Sequence, residues 1–200
     1  MNSAHTVWRF EAPGAWRGRS VSWHGAPTAA DDPCEGRCLA FDGTGDAFVV
    51  PENPVAGMDA FFIEARFLPL PGGPEEQRFL HIQCDGSADR ALLELRATPR
   101  GWYGDVFLYA GGRERFLNDP ERLHPFGRWA TLRLEYTGRE LAQICDGNEE
   151  LRADAGPGKL GPGRTSVGRR LNGISPFRGC IAWIRFGELA KPPSTETEPT

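Results

Sequence analysis

The spacing of glycine and proline narrows the fold more than any other feature of this chain. Twenty-five glycines and 17 prolines are scattered through 200 residues without forming a low-complexity tract. Relative to alanine, a helix interior loses roughly 1 kcal/mol at a glycine and about 3 at a proline. No window of about 11 residues carries an apolar repeat near 3.6. Between the punctuating residues lie short runs that alternate instead, such as ALLELRA at 91–97 and WATLRLEY at 129–136. Alternation places every second side chain on one face of a strand. The pattern therefore predicts an all-β chain of short strands, with one helical turn near Asn118–Arg122 as the exception. So many closely spaced strands close into a two-sheet antiparallel sandwich or a barrel.

At 22.0 kDa the chain suits one domain, expected over residues 1–190, with the polar, proline-containing stretch 191–200 expected to be a disordered tail. The net charge is -4 and no basic stripe is visible, which argues against nucleic acid or an anionic membrane as partner. No apolar run approaches the roughly 20 residues that span a bilayer. The opening MNSAHTVWRF has neither a basic nor an apolar secretory segment. Cys34, Cys38, Cys84, Cys145 and Cys180 are odd in number, and only the pair in CEGRC is close. With no second pair to complete a zinc site, free thiols in a reducing cytoplasm are expected, with no metal and no cofactor.

Residues 39–50, LAFDGTGDAFVV, set two apolar runs either side of an acidic, glycine-rich tip. Gly43 and Gly45 suit a tight turn, and Asp42 can bond the backbone two residues on, so a hairpin connection is expected. Two carboxylates are far short of the six to eight oxygens that calcium takes. The same stretch, followed by FFIEA at 61–65, resembles the opening of a laminin G-like jelly roll of the concanavalin A-like lectin/glucanase superfamily. ICDG at 144–147, SVG at 166–168 and PFRGCIAWIRF at 176–186 are similar to that family's later hairpin, penultimate strand and closing strand, in the right order. The resemblance implies two curved antiparallel sheets, the concave one forming a groove that binds or processes glycans in many relatives.

Alternation sorts the faces. In FFIEARF the set Phe61, Ile63, Ala65 and Phe67 packs inward, leaving Phe62, Glu64 and Arg66 on the other face. In RFLHIQ, Leu80 and Ile82 pack while Phe79, His81 and Gln83 point away, and in LLELR, Leu93 and Leu95 pack while Glu94 and Arg96 do not. Were these strands neighbours in the concave sheet, Glu64, Arg66, His81, Gln83, Glu94 and Arg96 would form one cluster, joined by Arg170 and Asn172. Two carboxylates about a histidine are the raw material of acid/base chemistry. The same residues also suit plain cross-strand ion pairs, Glu64 with Arg96 and Arg66 with Glu94. Trp102 and Tyr103 are the expected stacking platform for a sugar ring, whereas Trp8, Trp129 and Trp183 read as core.

Two functions follow. The leading one is a noncatalytic carbohydrate-binding, lectin-like or interaction module that uses a polar concave face, with Arg66, Gln83, Arg96, Trp102, Tyr103, Arg170 and Asn172 holding a carbohydrate or other polyol. The alternative is a polysaccharide hydrolase or lyase acting through Glu64, His81 and Glu94. The Glu-x-Asp-x-Glu run of retaining glucanases is absent. Glu64-Ala65-Arg66 and His81-Ile82-Gln83 are similar to only part of the alginate lyase pattern. No Gly-x-Ser-x-Gly elbow, P-loop or His-Glu-x-x-His occurs.

Overall fold

The computed structural model describes residues 5–10 and 21–189; the expected tail at 191–200 lies outside them. Two antiparallel sheets face one another. The larger has the order β13 (Asn148–Asp154), β12 (Glu140–Cys145), β11 (Ala130–Tyr136), β6 (Phe61–Pro69), β15 (Arg178–Glu188), β4 (Gly36–Asp42) and β3 (Thr28–Asp32), with β1 (His5–Arg9) also paired to β15. The smaller runs β10 (Arg113–Asn118), β9 (Gly101–Ala110), β8 (Arg90–Thr98), β7 (Glu76–Cys84), β14 (Gly163–Val167), β5 (Ala47–Val50) and β2 (Ser22–His24). Among the described residues there is no helix; the stretch at 118–122 makes only a turn, with Arg122 N–H donating to Asp119 O at 3.0 Å.

The alternating runs do what their period demands. Phe61, Ile63, Ala65 and Phe67 of β6 are fully buried between the sheets, as are Leu93 and Leu95 of β8. At the centre Phe67 stacks on Phe79 with ring centroids 4.5 Å apart, and Trp102 and Phe177 meet the same ring at 5.2 and 6.2 Å. This aromatic cluster ties β6 of the larger sheet to β7 and β9 of the smaller.

Phe79 departs from the expected outward direction because β7 carries a bulge. Arg78 pairs with Glu94 and Leu80 with Leu93, which leaves Phe79 as the extra residue. The Arg78 N–H donates instead to Ser175 O, at 2.9 Å. A bulge lets consecutive residues depart from strict alternation, so Phe79 and Leu80 both enter the core. Trp8 is core, as expected. Trp183 and Trp129 instead belong to a separate small cluster with Cys38 and Ala182 on the outer face of the larger sheet.

The tip at 42–46 is a turn, but not a hairpin. β4 and β5 lie in different sheets, so the tip carries the chain across the edge of the sandwich. Asp42 Oδ1 accepts N–H bonds from Thr44, Gly45 and Asp46 at 2.8, 3.1 and 3.2 Å, and Asp46 accepts from Ala26 and Asp42 at 2.7 and 3.1 Å. Burial works against the charged form of Asp42. The bonds from Thr44, Gly45 and Asp46 outweigh it and hold the carboxyl well below the usual range. Both acids are thus engaged in shaping backbone. Gly43 has φ +77°, and a Cβ there would sit 2.7 Å from Arg178 Cβ, so both conformation and space require glycine.

Truncating the central ring tests this account of the core. Phe79→Ala should cost about 3–5 kcal/mol in urea unfolding, whereas Phe116→Ala, on an exposed edge position, should change stability by less than about 0.5 kcal/mol.

Candidate functional site

The outer face of the smaller sheet collects most of the expected polar residues. Register places them in rows across the strands. One row reads Phe116, Phe107, Leu92, His81, Ser166 and Val49 from β10 to β5. The next reads Glu114, Tyr109, Arg90, Gln83 and Arg164. On the other side lie Asp105, Glu94 and Arg78, then Tyr103, Arg96 and Glu76. Arg78 shares this face with His81 only because the bulge at Phe79 intervenes.

A strap between β14 and β15 closes over part of the face. Its tip is pinned by Arg170 N–H to Ile174 O at 3.1 Å and Gly173 N–H to Arg170 O at 2.8 Å. Leu171 N–H donates to His81 Nδ1 at 3.1 Å, and the Arg78 guanidinium bonds Ser175 Oγ. His81 is left 2% exposed, its Nε2 without a hydrogen-bond partner. Burial, then the charges of Arg170, Arg90 and Arg78, push its pKa down to about 3. At neutral pH the ring is therefore uncharged.

Beside it runs an arginine–carboxylate network. Arg78 Nε lies 3.0 Å from Glu94 Oε1 but off the hydrogen-bonding axis, Arg96 Nε donates to Asp105 at 2.7 Å, and Arg96 also pairs with Glu76. Glu94 is 3% exposed, and burial pushes its pKa up to about 7, because the misaligned Arg78 only partly offsets the lost hydration. Arg90 lies over the rings of Phe107 and Tyr109, 4.6 and 5.2 Å from their centroids. The Arg170 guanidinium, by contrast, makes no ion pair or hydrogen bond with the described residues. Phe116, next to Phe107, is 56% exposed.

The expected cluster is therefore divided. His81, Gln83, Glu94, Arg96 and Tyr103 share this face, with Arg170 above it. Glu64 and Arg66 do not: β6 belongs to the larger sheet, and their side chains leave the opposite side of the sandwich. There Glu64 meets Arg185 at 3.4 Å, and Arg66 meets Glu35 at 2.6 Å and lies over Trp129. Neither the joint acid/base site of Glu64, His81 and Glu94 nor the ion pairs Glu64–Arg96 and Arg66–Glu94 can form across the core. Trp102 is fully buried, its Nε1–H donating to Pro125 O at 3.2 Å, so it is core and not a platform. Gln83 is engaged with the backbone oxygens of Ser87 and Asp89. Asn172 sits on the exposed strap tip and accepts from Ile174 N–H at 3.5 Å.

Sequence reasoning missed Arg78, Arg90, Asp105, Phe107, Tyr109 and Phe116. Asp105, Phe107 and Tyr109 were within reach of the alternation argument, since they are one parity of DVFLYA.

No protein-family model matches the sequence, and no curated protein matches it significantly. Solved structures do match in fold. Domain 4 of AbnA, a GH43 extracellular arabinanase from Geobacillus stearothermophilus in complex with arabinotriose, superposes with a TM-score of 0.62 at 15% identity, covering 94% of this chain and 93% of that one. The CBM40 of the Ruminococcus gnavus IT-sialidase, bound to α2,3-sialyllactose, gives 0.60 at 16%, covering 76% and 91%. Mouse laminin α1 domains LG4-5 give 0.60 at 16%, covering 88% of this chain and 44% of that one. The fold is thus the laminin G-like, concanavalin A-type jelly roll.

Burial of His81 and Glu94 gives opposed pH dependences. His81 takes up its proton near 6.5 when unfolded and near 3 when folded, so its contribution to stability falls as pH drops through that window. Glu94 keeps its proton to about 7 folded against 4.5 unfolded, so its contribution falls as pH rises between those values. The two slopes should nearly cancel between pH 4.5 and 6.5. In Glu94→Gln only the His81 slope remains, and the urea midpoint should climb steadily over that interval; a flat profile would contradict the assignment.

Proposed function

We propose that this chain is a noncatalytic carbohydrate-binding module whose ligand lies on the outer face of the smaller sheet. One observation carries the reading: exposed Phe116 and half-buried Phe107 and Tyr109 border a field of guanidiniums in which that of Arg170 makes no ion pair or hydrogen bond with the described residues. A pyranose or furanose ring presents an apolar face to a flat aromatic and hydroxyls to polar neighbours, so recognition needs these two chemistries side by side. Arg90, stacked on Phe107 and Tyr109, and Arg96, beside Tyr103, offer N–H donors next to aromatic surface. The fold neighbours solved with arabinotriose and with sialyllactose support a glycan as the ligand class.

The hydrolase or lyase reading is not favoured. Glu64 is on the far side of the molecule, and the strap leaves His81 without access to a substrate proton. Glu94 is the one buried acid with a raised pKa among the described residues, and its cross-strand neighbour Asp105, itself buried, is held by Arg96 Nε at 2.7 Å and not left open as a base.

A glycan array followed by titration calorimetry tests the binding reading. Phe107→Ala and Arg170→Ala should each weaken the best ligand at least about tenfold, with unchanged urea midpoints, while Glu64→Ala should bind as the parent does. An array without a hit, or a ligand indifferent to both changes, would refute it.

A further inference from the structure

The loop before β11 and the β12–β13 hairpin bring together a second polar cluster that the glycan face does not use. His124 is fixed by backbone: its N–H donates to Trp102 O at 2.7 Å, its O accepts from Trp102 N–H at 2.9 Å, and its ring lies 4.7 Å from the Trp102 ring. Cys145 ends β12 with its side chain turned into the sandwich, 2% exposed. Glu150 is aimed at both by a bulge in β13. Gln143 pairs with Leu151 and Ile144 with Glu149, leaving Glu150 as the unpaired residue.

The three side chains form a chain of contacts. Glu150 Oε1 lies 2.8 Å from His124 Nε2, and Glu150 Oε2 accepts from Gln143 Nε2 at 3.0 Å. A carboxylate at Nε2 keeps the ring proton on that nitrogen, so the Nδ1 lone pair faces Cys145 Sγ, 3.9 Å away. One ligand atom from each residue lies within 4.8 Å of the other two. Gln143, fully buried at the edge of the cluster, has an Oε1 with no hydrogen-bond partner.

We propose that this cluster is a binding site for one thiophilic divalent ion of the zinc class, with Cys145 Sγ and His124 Nδ1 as ligands and Glu150 as the positioning residue behind the imidazole. A tetrahedral ion bonded at about 2.3 Å to sulfur and about 2.0 Å to nitrogen holds those two atoms roughly 3.5 Å apart. The observed separation is within a few tenths of an ångström. Ligating histidines generally donate their other N–H to a carboxylate, which fixes the tautomer and raises ligand basicity; Glu150 already does this. Sulfur with imidazole selects zinc-like ions over magnesium or calcium, which take oxygen. On binding, the Cys145 S–H bond breaks and a metal–sulfur bond forms, the proton passing to buffer. His124 keeps its Nε2 proton, and no oxidation state changes. The Cys145 thiolate and the Glu150 carboxylate then balance the two charges of the ion, and water fills the two coordination positions that the protein leaves open. The imidazole edge, 25% exposed, provides the way in.

The full chain, stripped with a chelator and titrated with Co²⁺ and then Zn²⁺, should take up one ion with a thiolate-to-cobalt charge-transfer band. Cys145→Ser should abolish the band, and Glu150→Gln should weaken Zn²⁺ by about 10- to 100-fold. The double variant Cys38→Ala/Cys180→Ala, which removes the neighbouring thiols on the outer face of the larger sheet, should leave both unchanged. Folded parent protein that takes up no ion overturns the proposal. So does a band that survives Cys145→Ser, or is lost in the double variant. If Cys145→Ser fails the near-UV circular dichroism check for folding, Glu150→Gln decides: unchanged Zn²⁺ affinity in that variant refutes the site.

Discussion

One extra residue in β7 governs both sides of the smaller sheet. By inserting Phe79 between Arg78 and Leu80, the bulge adds an aromatic ring to the core and brings Arg78 onto the same outer face as His81. Strict alternation permits neither. The strap makes the bulge affordable in hydrogen-bonding terms, because Ser175 O takes the Arg78 N–H that the ladder gives up. The inner consequence is the stack on Phe67, which joins the sheets. The outer one is a guanidinium beside Glu94, whose carboxyl is buried against it. Core packing and site electrostatics are therefore set by the same backbone irregularity.

The two polar faces of the sandwich illustrate how burial separates chemistry from decoration. On the larger sheet, Glu64 and Arg185 or Arg66 and Glu35 are ordinary ion pairs at partly exposed positions, and such pairs contribute little. On the smaller sheet His81 lies beneath the strap and Glu94 lies beside the Arg78 that the strap holds, and dehydration moves the two groups in opposite directions.

Much of the architecture was legible in short-range pattern. The parity of FFIEARF sorted Phe61, Ile63, Ala65 and Phe67 correctly, and the Asp146-Gly147 hairpin follows from two residues that accept positive φ, 47° and 79°. Alternation says which face a side chain takes but not which strand lies next to it. That is why Glu64 was grouped with His81, and why LAF and VV were expected to pair across Asp42–Asp46. Contacts made by the strap were out of reach for the same reason: Leu171 caps His81 from 90 residues away. Trp102 was misassigned as a stacking platform because β9 begins at Gly101, which sends the indole inward toward Phe67.

The position of β15 has a consequence for biosynthesis. It is the last strand among the described residues, yet it lies between β6 and β4 in the larger sheet and also carries β1. While the ribosome is still making the segment before Arg178, β4 and β6 each show an open ladder edge. Such edges recruit other strands. Nascent chains must therefore hold the larger sheet as two separate pieces, β13-β12-β11-β6 and β4-β3, until β15 emerges from the ribosome, and that interval is when a chaperone has the most open edge to shield.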